Sequence, residues 1–244
     1  MATFADSDKK LSVIEQYADA LYSDFVEAHD NAAMFTEYHH YTFFNAIKSF
    51  LQDSSVDESF RVLDIGCGNG IVGRKVNALN SKISVVGVDM SSSMLAKARH
   101  FSSPADKFRY VEANALHLPS DLGLFNAVLS GYFFAHLETR FDVFKAFSNI
   151  ADHLVAGGVT CNLVPGSPQG MKEGEIVPVF LPGPSGAIRL YDTYWSMDTY
   201  MEAAAAAGLV DVQLRPCEMS KTGKELNLDS SDFKSFVVYA RKPL

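Results

Sequence analysis

The chain has 244 residues, 48% of them hydrophobic, and a formal net charge of −8. That is enough apolar material for one well-packed α/β domain with additions, and too much for a disordered chain. The charge is lopsided: residues 1–60 hold 11 Asp and Glu against three Lys, and the rest of the chain balances. No basic stripe is left to hold phosphates, so no nucleic acid partner is expected.

Three scattered cysteines, Cys67, Cys161 and Cys217, fit no disulfide frame and suit a reducing compartment. No Cys/His cluster has zinc-ligand spacing. The N-terminus is polar and acidic, without the apolar core of a signal peptide. No run approaches the roughly 20 apolar residues of a membrane span. A cytoplasmic protein without a membrane partner is expected, as a monomer or homodimer. The acidic first segment is either a solvated helix face or a field that favours a neutral or cationic substrate.

Helical spacing of Val13, Tyr17, Ala20, Leu21 and Phe25 predicts a helix over 12–28. A second is predicted over 34–51, with Phe35, Tyr38, Tyr41, Phe44, Ile47 and Leu51. These helices precede the first strand and suggest a cap over residues 1–59, with the core in 60–244. The aromatic stretch Tyr38-His39-His40-Tyr41-Thr42-Phe43-Phe44 is either ordinary packing or one wall of a pocket for a planar substrate.

Residues 61–70 read Arg-Val-Leu-Asp-Ile-Gly-Cys-Gly-Asn-Gly. An apolar strand stops at Gly66, Gly68 and Gly70, and a helical pattern follows in Ile71, Val72, Val76 and Leu79. A ligand is expected on this turn, because glycine permits close backbone approach and the helix start offers unpaired N–H groups. Asp64 ends the strand and points at the loop. A carboxylate there suits an ammonium group and repels a pyrophosphate. A competing match exists: Gly68-Asn69-Gly70-Ile71-Val72-Gly73 fits the dinucleotide fingerprint G-x-G-x-x-G. In that fold the first glycine directly follows the strand, and here Gly66 does so.

The pattern acid-x-Gly-x-Gly-x-Gly resembles motif I of the class I S-adenosylmethionine (SAM) dependent methyltransferases. That resemblance implies a cofactor site at Asp64, Gly66, Cys67, Gly68 and Gly70. The next strand, Ile83–Val88, ends at Asp89, which can accept both ribose hydroxyls of either cofactor. Met90 can lie against an adenine, or simply pack. Ser91-Ser92-Ser93 reads as the N-cap of a helix through Met94, Leu95 and Ala98. A third element, Phe108–Ala115, carries Asn114-Ala115 where the family usually has Asp-Ala near the adenine amino group. A fourth, Leu124–Ser130, resembles F-D-x-h-h with Asn126 for Asp, and Ser130 at its end is a further candidate for the cofactor or for packing. A fifth, Leu154–Val159, resembles the turn L-x-P-G-G, with Ala156 for Pro. Gln16–Tyr22 is similar to the Y-D-x-x-A-x-x-Y pattern of small-molecule methyltransferases. It implies Tyr17 or Tyr22 over the methionine end of SAM, packing being the other reading.

After the fourth strand comes Ser130-Gly131-Tyr132-Phe133-Phe134-Ala135-His136. Strand carboxyl ends border the site in open α/β sheets, so His136 is the candidate base. The family also carries a His-Leu pair here for local structure. No acid ends this strand, so no metal site and no magnesium dependence are expected. A helix is predicted over Arg140–Leu154, capped by Gly157-Gly158. Residues 165–190 hold ten Pro and Gly and suggest a substrate loop or lid over 165–195. It has room for a hairpin at 176–181 and 187–191. Ser196 opens a helix ended by Gly208. Strands follow at 209–215 and 235–241, with a polar surface loop over 216–232.

The resemblance implies an α/β fold: a Rossmann-like, seven-stranded, mostly parallel sheet with helices on both faces, an antiparallel last strand and an N-terminal helical cap. It implies methyl transfer from SAM to a small molecule, an aromatic or heterocyclic metabolite methylated on nitrogen or oxygen. Substrate contacts are expected from Tyr22, Tyr38, Tyr132, Tyr191 and Trp195. Two rival readings stand beside it: an NAD(P)-dependent oxidoreductase, from Gly68–Gly73, and a SAM-binding sensor or silent partner subunit, from Asn114 and Asn126.

Overall fold

The computed structural model describes residues 40–54, 56–57, 59–103, 107–166, 170–183, 186–225 and 234–244. The predicted helix at 12–28, and with it Tyr17, Tyr22 and Tyr38, lies outside the described residues.

Seven strands form one sheet: β1 (Arg61–Ile65), β2 (Ser84–Asp89), β3 (Phe108–Glu112), β4 (Phe125–Gly131), β5 (Leu154–Pro165), β8 (Val210–Pro216) and β9 (Ser235–Arg241). Their order is β3-β2-β1-β4-β5-β9-β8. The first five are parallel, and β9 runs antiparallel to both its neighbours. β1, β2, β4 and β9 are buried almost throughout. That is why they read as continuous apolar runs, since both faces of the sheet are covered. The order reverses between β1 and β4, which makes their carboxyl ends the switch point where open α/β sheets bind ligands.

Two apolar layers sandwich the sheet. On one face, α4 (Arg140–Asp152) and α5 (Met197–Ala206) bury Phe147, Ile150, Tyr200 and Ala203 with Phe134 and Trp195. On the other, α1 (His40–Asp53) and α2 (Ile71–Leu79) bury Phe43, Ile47, Val72 and Val76 with Cys161 and Val237. This part of segment 1–59 is therefore a layer of the fold that packs on the sheet. Helix α3 (Ser92–Phe101) packs beside β2 and β3.

The helix starts follow their side-chain caps. Ser91 accepts from the Met94 N–H and Ser196 from the Thr199 N–H, as their sequence suggests. Thr139 and Asp142 form a reciprocal capping box at α4. The end of α4 differs from expectation. It stops at Asp152 on His153, because the His153 carbonyl accepts from the Phe125 N–H and Leu154 already pairs with Phe125. Gly157 and Gly158 lie in an irregular start of β5, where Gly157 has φ 74°.

Strands β6 (Ile176–Gly183) and β7 (Gly186–Thr193) form a separate two-stranded antiparallel hairpin. Most of the predicted loop at 165–190 is thus regular structure. The 216–232 segment includes α6 (Lys221–Glu225), with Cys217, Ser220 and Gly223 buried. Among the described residues no helix is long and apolar enough to cross a membrane.

Candidate active site

The chain leaves β1 into the glycine turn. Gly66, Gly68 and Gly70 have φ of 63°, 53° and 79°. At Gly70 a Cβ would lie 2.6 Å from the Tyr110 hydroxyl, so side chains are barred there by crowding as well as by backbone conformation. Tyr110 rises from β3, bonds Ser102 at 2.8 Å and fills the space beneath the turn. The same ring would meet a Cβ on Gly87 at 2.8 Å, as would Cys67 Sγ. Cys67 is buried, and burial pushes its thiol well above the ordinary range. It is a packing residue of the turn, with no thiolate to offer.

Asp89, at the end of β2, holds the turn from below. One carboxylate oxygen accepts from the Gly68 N–H and the other from the Ser91 N–H, both at 2.8 Å. The turn and the start of α3 are therefore fixed by one side chain. Met90 beside it is 38% exposed, a surface open to a flat ring.

Asp64 is 1% exposed, and neither carboxylate oxygen has a hydrogen-bond partner among the described residues. Burial raises its pKa to about 8; the nearby Asp89 pushes in the same direction, while the Gly73 N–H, near the carboxyl but outside hydrogen-bond geometry, and the Arg74 guanidinium oppose. Two unpaired oxygens on a buried acid are costly, and a cationic or hydrogen-bonding ligand would satisfy them.

At the end of β4 the chain turns sharply. Tyr132 takes φ 60°, and a 3-10 turn, Phe133–His136, follows. Phe133 lies against Gly66, 3.0 Å from where a Cβ would be. Tyr132 goes to the opposite face, where its hydroxyl bonds Ser235 at 3.0 Å. His136 Nδ1 stands 3.7 Å from Asp192 Oδ1 of β7. Burial lowers the His136 pKa to about 4 and raises that of Asp192 to about 7.

Residues 62–158 match a family model described as a methyltransferase domain. The whole chain has the fold of solved SAM-dependent methyltransferases. The chain is also 28% identical over 179 residues to N-demethylindolmycin N-methyltransferase of Streptomyces griseus, covering 66% of this chain and 74% of that protein. A SAM-dependent methyltransferase structure from Clostridium acetobutylicum superposes with TM-score 0.66 at 14% identity, over 91% of this chain and 99% of that one. A SAM-bound amino pentose methyltransferase from Micromonospora echinaspora, involved in calicheamicin biosynthesis, gives 0.59 at 18% identity, over 98% and 100%.

The methyltransferase turn suits SAM on its own chemistry. The unpaired Asp64 oxygens suit an ammonium group, the turn allows close approach at Gly66–Gly70, and Asp89 keeps further lone pairs for hydroxyls. Gly73, the last glycine of the dinucleotide match, lies in α2, where a Cβ would meet Val85 at 3.0 Å; it is there for helix–strand packing. Asn114 is exposed, and its oxygen caps the following 3-10 turn by accepting from the Leu116 N–H. Ala115 is buried, and its carbonyl accepts from Asn149 of α4.

Several candidates have structural occupations. Ser130 is fully buried and donates to Asn162 at 2.9 Å; Asn162 in turn donates to Thr160 at 2.9 Å. Ser130 thus ties β4 to β5, and its hydroxyl is spent there. Asn126 accepts from the Arg61 N–H at the amino ends of β4 and β1, the far end of the sheet from the turn. Its replacement of Asp carries no message about catalysis. Trp195 is 4% exposed and donates to the Leu137 carbonyl at 3.0 Å, so it braces the residue after His136 from within the core. Tyr191 is partly buried under the Arg189 guanidinium, 4.8 Å from its ring centre. Sequence reasoning missed Tyr110, Phe133 and Asp192. Only Asp192 left a trace: it shares a face of β7 with buried Leu190, an acid where period-2 alternation calls for an apolar residue.

Proposed function

We propose that this chain transfers a methyl group from SAM to a nitrogen or oxygen of a small aromatic or heterocyclic metabolite, with His136 taking the acceptor's proton. The observation that carries the donor side is the buried Asp64, whose unpaired carboxylate lies under a turn held open by Asp89. The similarity to an N-methyltransferase over two-thirds of the chain supports the small-molecule acceptor and favours nitrogen.

SAM supplies an electrophilic methyl group on a cationic sulfur. The protein's part is to align, enclose and deprotonate. Asp64 and Asp89 orient the donor, Met90 offers a face to the adenine, and Phe133 closes the turn at Gly66 on the β4 side. Held proximity contributes about 7–11 kcal/mol in favourable cases, and enclosure excludes the water that would stabilise the reactant charge. Burial keeps the His136 imidazole neutral at ordinary pH, so it has a lone pair to offer the acceptor's proton, while the same burial weakens it as a base. The three free, buried cysteines support a cytoplasmic location.

The test has two steps. Calorimetric titration with SAM, S-adenosylhomocysteine and NADH should give heat for the first two only, and NADH binding without SAM binding sinks the reading. Labelled SAM incubated with a metabolite extract should then label a small aromatic or heterocyclic product. Tight SAM binding with no labelled product in any pool would leave a sensor or silent subunit.

A further inference from the structure

The hairpin β6–β7 pairs with no strand of the main sheet, yet it places one carboxylate against the histidine that follows β4. Asp192 and His136 are 56 positions apart, and their side chains are only 18% and 14% exposed. Both are fixed from behind. Trp195 bonds the Leu137 carbonyl, and Leu190 is buried on the Asp192 side of β7. A fully buried Tyr200 hydroxyl, without a partner among the described residues, lies in the field of Asp192. If packing were their only role, apolar residues of similar size would fill the space without desolvating an acid and an imidazole. Of the charged groups on the surrounding elements, three have partners away from the pair, while Glu138 follows His136 by two residues and Asp198 lies in the first turn of α5. Arg189 covers the Tyr191 ring, Glu173 accepts from Ser196 and Thr199, and Arg140 pairs with Glu202. Burial pushes the Tyr200 hydroxyl far up, so it stays neutral. On β5, the polar Thr160 and Asn162 do not titrate and bond within their own network.

We propose that Asp192 is the positioning residue for His136: its carboxylate holds the Nδ1 side of the imidazole and so fixes Nε2 as the nitrogen that exchanges a proton with the methyl acceptor. The inference rests on His136 being the base. Burial alone raises the Asp192 carboxyl to about 7 and keeps the imidazole neutral, so the proton that leaves near pH 7 is the carboxyl's. With the acid protonated, its O–H donates to Nδ1 and the imidazole carries its own proton on Nε2. Once the carboxyl proton has left to water, the carboxylate accepts from Nδ1–H, the imidazole proton having moved from Nε2 to Nδ1 by solvent exchange. Nε2 then presents a lone pair. The separation of 3.7 Å is long for such a bond, and bonds of this kind commonly tighten in the loaded enzyme.

The experiment is nitrogen NMR on the full chain labelled at histidine, with the His136 ring assigned by its absence in His136→Gln. Between pH 5 and 9 the wild type should show one step near pH 7, from the Nε2–H to the Nδ1–H tautomer. Asp192→Asn should abolish the step, because an amide does not titrate, and Asp192→Glu should restore it. A flat wild-type profile overturns the proposal without any variant being needed. Survival of the step in a folded Asn variant, checked by amide dispersion, overturns it as well. The methyl-transfer rate, read against pH with the labelled product, should share the step near pH 7 and lose it in the Asn variant, as a purely structural pair would not. Binding of S-adenosylhomocysteine is measured on the same samples. Its loss would sink the methyl-transfer reading and leave the tautomer step standing or falling by itself.

Discussion

Replacing the ionisable Asp64 by Asn should change how stability depends on pH. Its folded pKa is about 8 against an ordinary 3.8, with burial the main cause. The sign follows from which state binds the proton. Below about pH 4 both states are protonated and the residue is neutral to folding. Between about 4 and 8 the unfolded chain ionises while the folded one keeps its proton, so stability falls as pH rises. Above about 8 the curve flattens. Four units at about 1.4 kcal/mol each set a ceiling near 6 kcal/mol, as large as the whole stability of many domains. Relaxation and water entry should lower that to a few. The assay is urea unfolding at pH 5, 6.5 and 8, followed by far-ultraviolet dichroism. Other groups titrate too, so the wild type is compared with Asp64→Asn, which differs only at this group. The wild-type stability should fall more steeply, by at least about 2 kcal/mol over the range. A ligand ammonium that pairs with Asp64 should restore ionisation, so S-adenosylhomocysteine binding at pH 7 should release a proton in the wild type and none in the Asn variant. Parallel stability curves for the two proteins would refute the reasoning.

Asp89→Ala should cost roughly 3 kcal/mol, since it strips a charged acceptor from two backbone N–H groups at 2.8 Å. A fall in Tm of about 6–12 °C follows for a chain of this size, and S-adenosylhomocysteine affinity should drop with it; an unchanged Tm shows the turn is held by other means. Glu173→Ala removes the acceptor that Ser196 and Thr199 share at the start of α5. It should open the 170–195 segment to limited proteolysis about fivefold faster, for a loss of roughly 1 kcal/mol, while unaltered cleavage there would show that the hairpin stands without this clasp. Chelation with EDTA should leave the transfer rate unchanged, and a loss restored by magnesium would contradict the reading of β4.

The glycine turn was legible because most of its signals are local. Asp64, the three glycines and the serine caps lie within a few residues of the turn or helix start they mark, while Asp89 was legible as a strand end although it reaches back 21 positions to the Gly68 N–H. The seven-stranded order was legible through family resemblance, since strand order is not written in periodicity. What escaped depends on distance along the chain. Tyr110 explains why Gly70 and Gly87 are glycines, yet nothing near residue 110 says so. Ser130 looked like a ligand contact because its partner, Asn162, is 32 positions away. Trp195 looked like a pocket wall and is a core brace for the same reason. Spacing predicts a helix cap at Gly157-Gly158, whereas the bond at the end of α4 comes from Phe125, on another strand.

Tyr132 is an instruction to anyone who would stabilise this protein by rule. A tyrosine at φ 60° invites replacement by glycine, which adopts that conformation without strain. The chain nevertheless keeps a large ring there, so the hydroxyl bond to Ser235 and the packing against the apolar layer on the α1–α2 face outweigh a backbone penalty of about 1–2 kcal/mol. Glycine would relax one peptide and let go of an anchor between the β4 exit and the antiparallel strand. An automated search that swaps positive-φ residues for glycine would therefore loosen the enzyme at the junction it most needs to keep rigid.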